Sequence, residues 1–225
     1  VSKLANKNGI VTMIDNTFAS PINQTPIDFG IDIMIHSATK YMGGHSDILA
    51  GAVAASNEHI EKIWNVAKNL GGSLSDFTVW MLERSIKTLN LRVVHQSENA
   101  LKMAKNLATN PNVYNVYYPG LKGHPDYKLA KKQMKNFGGM LSFELVEGID
   151  AMKFQNNLKL IKPSMSLAGV ESTMLSPTET SHALLSPEER EKQGIKDGLI
   201  RFSVGIEETK DLIADIDQAL KKTME

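Results

Sequence analysis

Three short apolar runs near the start of the chain predict β-strands. They cover residues 10–14, 31–35 and 51–55, and such runs are typical of a sheet that is covered on both faces. The first two stop abruptly at polar segments, Asp15-Asn16-Thr17 and His36-Ser37-Ala38-Thr39-Lys40. Because ligands of open α/β sheets bind where strands end and loops begin, these polar segments are the first candidates for a functional site.

A helical pattern follows, and the chain then changes in character. Residues 57–70 and 76–109 have helical periodicity, and the second stretch contains no Pro or Gly. From Pro111 onward, short strands alternate with short helices, which predicts a second, smaller α/β domain. We therefore expect two domains, at residues 1–95 and 96–225. The predicted elements of the smaller domain are strands at 114–118, 140–145 and 199–204 and helices at 128–135 and 210–221.

Composition narrows the classes of function. The 225 residues carry 25 basic and 25 acidic side chains without a basic, aromatic-interleaved stripe, so nucleic acid is not an expected partner. The absence of cysteine excludes thiolate nucleophiles and disulfides. No apolar run approaches the roughly 20 residues of a membrane span, so we expect a soluble, cytoplasmic protein with no membrane partner. The chain begins at Val1, and residues 1–8 resemble a helix end running into a strand, so we expect a further segment upstream.

A lysine stands among hydroxyls and glycines in the second polar segment. Lys40 follows Ser37 and Thr39 and precedes Gly43 and Gly44. Hydroxyls and closely approaching backbone N–H groups can bind a phosphate while a lysine amine reacts with an aldehyde on the same ligand. From these residues alone, a surface lysine beside a hydroxyl-capped turn is the other open interpretation.

A carboxylate follows the first predicted strand. Asp15 requires a partner there, because an unpaired carboxylate at the end of an apolar strand carries a desolvation penalty. A protonated ring nitrogen is one such partner. In pyridoxal phosphate (PLP) enzymes an acidic residue keeps the pyridine nitrogen protonated, so that the ring can accept electrons. The alternative for Asp15 is an Asx turn with Asn16.

These residues, with further motifs along the chain, closely resemble the Cys/Met-metabolism family of PLP enzymes. That family contains cystathionine γ-synthases, cystathionine lyases, methionine γ-lyases and O-acylhomoserine sulfhydrylases. The resemblance spans almost the whole chain, and several motifs in the correct order are more specific than any one of them. The motifs are Asp15-Asn16-Thr17-Phe18, Ser37-Ala38-Thr39-Lys40-Tyr41, Gly43-Gly44-His45-Ser46-Asp47, Arg84-Ser85-Ile86-Lys87-Thr88-Leu89, Tyr118-Pro119-Gly120-Leu121, Gly138-Gly139-Met140, Ser166-Leu167-Ala168-Gly169-Val170-Glu171-Ser172 and Ile200-Arg201-Phe202-Ser203-Val204-Gly205-Ile206-Glu207.

The resemblance implies a cofactor, pyridoxal 5'-phosphate, and a set of residues that hold it. Lys40 would bind the cofactor covalently and later move a proton, and Asp15 would hold the pyridine nitrogen. Ser37 and Thr39 would bind the phosphate. We expect no metal site, because His45 is a lone histidine in a glycine-rich segment, where a local hydrogen bond is the more common role.

The resemblance also implies a small amino-acid substrate. Arg201 would clamp its α-carboxylate, with Ser166 beside it, because a planar guanidinium matches a carboxylate with two parallel hydrogen bonds. From the sequence alone, an arginine on the solvent side of a strand is the alternative for Arg201. The residue before Ser166 differs among subfamilies, being usually Glu in cystathionine γ-synthases and γ-lyases, aromatic in β-lyases and small and aliphatic in methionine γ-lyases. Met165 departs from all three patterns, although Ala168-Gly169-Val170-Glu171-Ser172 favours the cystathionine branch.

The implied activity is γ-replacement or γ-elimination on a homoserine-derived or sulfur amino acid, as in cystathionine γ-synthases and γ-lyases. O-acylhomoserine sulfhydrylase, methionine γ-lyase and cystathionine β-lyase are the alternatives within the family. The implied fold is α/β, of the aspartate aminotransferase-like type I, assembled as a homotetramer of two dimers. The N-terminal half that family members carry is not in this sequence. An inactive fragment that needs that half, and a generic phosphate-binding module, are therefore the competing hypotheses.

Overall fold

The computed structural model describes residues 1–180 and 182–225. The chain divides into two units, Val1–Val93 and Val94–Glu225. Whether these units fold independently as two domains stays a prediction.

The first unit contains a three-stranded sheet in the order β1-β2-β3. The strands are β1 Met13–Asp15, β2 Ile33–Ser37 and β3 Gly51–Ala55. β1 and β2 are parallel, with Asp15 opposite Ile35, and β2 and β3 are antiparallel, with Ser37 opposite Gly51. Asp15 and Ser37 are therefore the last residues of two neighbouring strands that run in the same direction.

The burial of these strands differs from the prediction. Residues 10–14 were expected to form a buried strand, but β1 begins at Met13, whose exposed fraction is 60%. Only β2 has buried apolar side chains, those of Ile33 and Met34. The reason is position, because β2 lies between two strands whereas β1 and β3 are the outer strands of this sheet. The prediction of coverage on both faces is therefore wrong for β1 and β3 within the described residues.

Local signals fix the helices of the first unit. The Ser56 side chain caps the N-terminus of one helix, and Gly71, with a left-handed φ of 76°, ends it. This helix has the predicted bounds of 57–70. The helices that begin in this unit are α1 Ser2–Lys7, α2 Ser20–Asn23, α3 Asn57–Leu70, α4 Asp76–Ile86 and α5 Leu89–Leu107, the last of which ends in the second unit.

The single long helix predicted at 76–109 is wrong, because the chain breaks between α4 and α5. At the break, both the N–H and the hydroxyl of Thr88 donate to the Ser85 carbonyl oxygen at 3.2 Å. A threonine hydroxyl competes in this way with the helical hydrogen bonds of the backbone. The sequence contains no Pro or Gly at this point, so the break has no strong local signal.

The second unit is a five-stranded sheet in the order β4-β5-β8-β7-β6 with its own buried core. All neighbouring strands are antiparallel except β6 and β7. Phe143 and Phe154 meet edge to face in the core, with ring centroids 6.2 Å apart. The elements are β4 Val113–Tyr117, α6 Tyr127–Gln133, β5 Met140–Leu145, α7 Ala151–Asn157, β6 Lys162–Pro163, β7 Thr173–Leu175, α8 Pro187–Lys192, β8 Leu199–Ser203 and α9 Thr209–Met224. Across residues 1–180 and 182–225, no helix is long and apolar enough to cross a membrane.

Candidate active site

The carboxylate of Asp15 is held from one side only. The Thr17 N–H donates to Asp15 Oδ1 at 2.9 Å, and the Thr17 hydroxyl donates to the same oxygen at 2.5 Å. These bonds, led by the one from the hydroxyl, lower the pKa of Asp15 below its ordinary value. The Asx-turn alternative is therefore correct for Oδ1. Oδ2 receives no hydrogen bond from the described part of the chain, and it remains available to a ligand.

Thr17 also connects Asp15 to the neighbouring strand. Its hydroxyl oxygen accepts a hydrogen bond from the Ser37 N–H at 2.8 Å, and its side chain is buried. One hydroxyl thus joins the candidate ring-binding carboxylate to the start of the candidate phosphate-binding segment. The sequence analysis did not identify this role of Thr17. The available signal was a hydroxyl two residues after an aspartate that ends a strand.

Lys40 lies on a tight turn that follows β2. Its N–H donates to the Ser37 carbonyl oxygen at 3.0 Å, and its own carbonyl accepts from the Gly44 N–H at 2.7 Å. The Gly43 N–H donates to the Ala38 carbonyl oxygen at 2.7 Å. The turn is therefore closed by its own backbone, and Lys40 stands on it partly buried.

The two candidate phosphate ligands differ in availability. The Thr39 hydroxyl accepts from the Ala50 N–H at 2.9 Å and donates to the Ala50 carbonyl oxygen at 3.3 Å. To bind a phosphate, it would turn its proton away from that long second bond. The Ser37 hydroxyl has no hydrogen-bond partner within the described residues, so it can donate to an anion without giving up a contact.

Two histidines lie close to these residues in sequence. Burial lowers the pKa of His36, and the charge of Asp15 opposes that shift. The Nδ1 atom of His45 lies 2.7 Å from the Gly43 carbonyl oxygen, which confirms the local hydrogen bond expected for it. In the part of the chain that the structure describes, no group of three metal-ligating side chains is found.

Arg201 and Ser166 are brought together in the second unit. Arg201 lies in β8, and its Nη2 donates to the carbonyl oxygens of Met165 at 2.8 Å and Ser166 at 3.1 Å. Its Nε is buried and has no partner among the described residues, and burial lowers the pKa of the guanidinium. The alternative of a solvent-side arginine is therefore only partly right, since one edge is held by the main chain. The side chain of Met165 has no carboxylate, and it is 64% exposed.

Buried polar contacts support the segment that carries Ser166. Ala168 has a left-handed φ of 66°, and its N–H donates to the Ser203 hydroxyl oxygen at 2.7 Å. The Glu207 carboxylate accepts from both the N–H and the hydroxyl of Ser172, at 2.6 and 2.8 Å. These contacts join the two motifs that contain Ser166 and Arg201. The sequence analysis named the motifs but not this link.

Two cavities lie elsewhere in the second unit. Their volumes are about 860 and about 670 Å³, and neither is lined by a predicted site residue. The buried carboxylate in the larger one, that of Glu144, is already paired with Lys196 at 2.7 Å. The residues predicted from the sequence to form the site therefore lie outside these two cavities.

The side chains at the ends of β1 and β2 fit a particular kind of ligand. They offer a carboxylate oxygen, a serine hydroxyl and an amine, on Asp15, Ser37 and Lys40. A protonated ring nitrogen, an anionic group and an aldehyde are the matching groups. PLP carries all three.

Comparison with known proteins agrees with this chemistry. The sequence model of a family described as Cys/Met metabolism PLP-dependent enzyme matches residues 1–221. A cystathionine beta-lyase of Lactococcus lactis subsp. cremoris is 46% identical over 223 residues, which are 99% of this chain and 59% of that protein. The chloroplastic cystathionine gamma-synthase 1 of Arabidopsis thaliana is 46% identical over 222 residues, which are 98% of this chain and 39% of that protein.

Solved structures show the same likeness. A cystathionine gamma-lyase from Lactobacillus plantarum, complexed with L-serine, superposes with a TM-score of 0.94 at 40% identity. That match covers 99% of this chain and 59% of the other. A cystathionine gamma-synthase from Xanthomonas oryzae pv. oryzae, in complex with cystathionine, has a TM-score of 0.93, also at 40% identity. The chain thus spans less than two thirds of the length of these relatives.

Proposed function

Because this chain belongs to the Cys/Met metabolism PLP-dependent enzyme family, we propose that the whole protein catalyses γ-replacement or γ-elimination on a homoserine-derived or sulfur amino acid. Cystathionine γ-synthase and γ-lyase reactions are the closest models. One observation carries the proposal. A carboxylate with an available oxygen and a lysine-bearing turn follow two neighbouring parallel strands, and the Thr17 hydroxyl links them.

Each residue has a task in the proposed reaction. Asp15, a carboxylate whose pKa is lowered by its hydrogen bonds from Thr17, would hold a proton on a ring nitrogen. PLP, when bound, supplies a ring that accepts the electrons released when a proton leaves carbon. Lys40 would remove that proton from the substrate α-carbon and return it later. Ser37, with Thr39, would hold the phosphate, so that the ring keeps its position while the amine is occupied.

Arg201 would orient the substrate through its α-carboxylate. Its Nη2 already donates hydrogen bonds to the carbonyl oxygens of Met165 and Ser166. A substrate carboxylate would therefore bind the remaining N–H groups of the guanidinium. The buried Nε has no partner among the described residues, and a carboxylate would satisfy it after a small change of the side chain. An unsatisfied buried donor is costly, which favours a ligand at this place.

The similar proteins have different names, and they share a class of reaction. They include a beta-lyase, a gamma-synthase, a gamma-lyase and an L-methionine gamma-lyase. Met165 favours a second candidate, elimination from methionine. Its exposed apolar side chain offers no anion to the distal ammonium group of cystathionine.

Replacing Met165 by Glu tests this choice. We expect Met165→Glu to raise kcat/KM for cystathionine relative to methionine by about fivefold, because a partly exposed ion pair contributes about 1 kcal/mol. Competition between the two substrates measures the ratio directly. Met165→Gln is the matched control, since it has the same shape as Glu without the charge. An equal change in both variants would show that charge at position 165 does not select the substrate.

The proposed function itself is tested by trapping the cofactor. The whole protein, incubated with PLP and reduced with borohydride, should yield a pyridoxyl group on the peptide that contains Lys40. The same preparation should release a keto acid from cystathionine or methionine, or consume O-succinylhomoserine with a thiol. A reduced protein without a pyridoxyl group would contradict the proposal.

We further propose that residues beyond these 225, or a partner polypeptide, complete the site within a homotetramer of two dimers in the cytoplasm. The apolar side chains that the first unit exposes, including the stacked rings of Phe77 and Trp80, support this proposal, because exposed apolar patches mark interfaces. Sedimentation of the whole protein would give its mass in solution. The aromatic side chains among them are those of Phe18, Phe29, Trp64, Phe77 and Trp80.

A further inference from the structure

Arg92 is a buried cation in the first unit. Only 5% of its surface is exposed, and its guanidinium makes four hydrogen bonds with neutral oxygen atoms. Nε donates to the Thr88 hydroxyl at 3.1 Å, and Nη1 donates to the Tyr41 carbonyl oxygen at 2.7 Å. Nη2 donates to the carbonyl oxygens of Met42 at 3.2 Å and Ser85 at 2.9 Å.

These acceptors belong to two segments that both end near Arg92. Tyr41 and Met42 directly follow Lys40 on its turn, and Ser85 lies in the last turn of α4. Arg92 donates hydrogen bonds to both segments, and it therefore connects the turn that carries Lys40 to the break between α4 and α5.

The charge of Arg92 is balanced in an unusual way. Among the side chains that the structure describes, no carboxylate lies within ion-pair distance of it, and burial lowers its pKa. An arginine remains protonated even so. The negative ends of the carbonyl dipoles take the place of a counter-ion. Burial of a charged side chain costs free energy, so we expect Arg92 to do more than fill space.

The turn is shaped around this guanidinium. Gly44 has a left-handed φ of 73°, and a Cβ atom there would overlap Arg92 Nη1. Glycine at this position is therefore required twice, by the backbone conformation and by the side chain that packs against it. The backbone hydrogen bonds that the Gly43 and Gly44 N–H groups donate close the same turn.

We propose that Arg92 is a positioning residue that fixes the turn carrying Lys40, and thereby the direction of the lysine amine at the cofactor site. The inference rests on the proposed function of Lys40. It assigns to Arg92 no contact with substrate or cofactor. A lysine cannot replace it, because the four acceptors surround a planar fork and not a single nitrogen.

The test uses the whole protein with Arg92→Lys and Arg92→Gln, and its first measurement needs no cofactor. Hydrogen exchange at the Gly43 and Gly44 amides should become about tenfold to a hundredfold faster in both variants, since bonds to a charged group are lost. Exchange in β5 should stay unchanged. In the PLP-loaded protein, kcat should fall by a similar factor, while KM for the amino acid should stay within about twofold because Arg201 is intact.

Controls separate positioning from general stability. Lys105→Gln removes an exposed charge from the same helix, α5, and should change neither measurement. If the Arg92 variants fail to fold, Thr88→Val removes the acceptor of Nε, together with the hydroxyl bond to the Ser85 carbonyl oxygen, and leaves the guanidinium in place. Faster Gly43 and Gly44 exchange in that variant would then support the proposal. Exchange at wild-type rates, or an equal increase in β5, would overturn it. Failure of the proposed function would look different, because the unmodified protein would then carry no PLP on Lys40.

Discussion

Replacing Lys40 by Ala in the whole protein is expected to remove the covalent link to PLP and to lower kcat by about 10³-fold or more. The amine has two tasks in the proposed reaction, the bond to the cofactor and the transfer of the α-proton, and Ala can perform neither. Borohydride reduction followed by peptide mapping measures the first. Steady-state release of keto acid measures the second.

A matched lysine provides the control for that experiment. Lys62 is 69% exposed on α3 and pairs with Glu58 at 2.7 Å, so Lys62→Ala should leave both measurements unchanged. Methylamine added to Lys40→Ala should restore part of the proton transfer, because it supplies an amine where one was removed. A pyridoxyl group on another lysine in the Lys40→Ala protein, with activity retained, would contradict the assignment.

Replacing Asp15 by Asn is expected to slow exchange of the substrate α-proton by about 10²-fold to 10³-fold. Asn keeps an oxygen where Oδ1 accepts from Thr17, so the turn should persist. It loses the charge that would hold a proton on the ring nitrogen. Loss of the α-proton signal in deuterated water, followed by nuclear magnetic resonance, measures the rate.

The pH dependence of this effect follows from the lowered pKa. Thr17 lowers the pKa of Asp15, so the carboxylate is ionised at every pH above that lowered value. Its contribution is therefore complete through the neutral range and is lost only as the pH falls through the lowered pKa. Raising the pH across neutrality should not rescue Asp15→Asn.

A second variant, Thr17→Val, is expected to slow the same exchange less than Asp15→Asn does. It removes the hydroxyl that donates to Asp15 and accepts from the Ser37 N–H, but it keeps the carboxylate. The loss of one hydrogen bond to a charged group corresponds to about a tenfold slower rate. If Asp15→Asn were no slower than Thr17→Val, Asp15 would be a turn residue only.

The sequence was informative where local signals decide the structure. The family, its PLP cofactor and its α/β fold were predicted correctly. The bounds of α3 follow from Ser56 and Gly71, which act within one turn of the helix ends. Asp15 and Lys40 were found because a polar residue directly after an apolar run marks the end of a strand. Their roles remain proposals.

The sequence was less informative where distant residues decide the structure. The break between α4 and α5 depends on Thr88. The sequence around Thr88 favours a helix and contains no Pro or Gly that would mark a break. In the sequence, Arg92 does not differ from any other arginine in a helix. The residues it contacts, Tyr41 and Met42, are about fifty positions away along the chain. The exposure of Met13 depends on which strands lie beside β1, and periodicity does not contain that information.

The main-chain contacts of Arg201 have a consequence for substitutions at position 165 of this chain. The carbonyl oxygens that hold its guanidinium belong to Met165 and Ser166, and every amino acid supplies the same oxygen. Mutation at position 165 can therefore alter the side chain presented to a substrate without disturbing the support of Arg201. A substitution at position 165 would therefore leave in place the arginine that we propose to hold the substrate α-carboxylate.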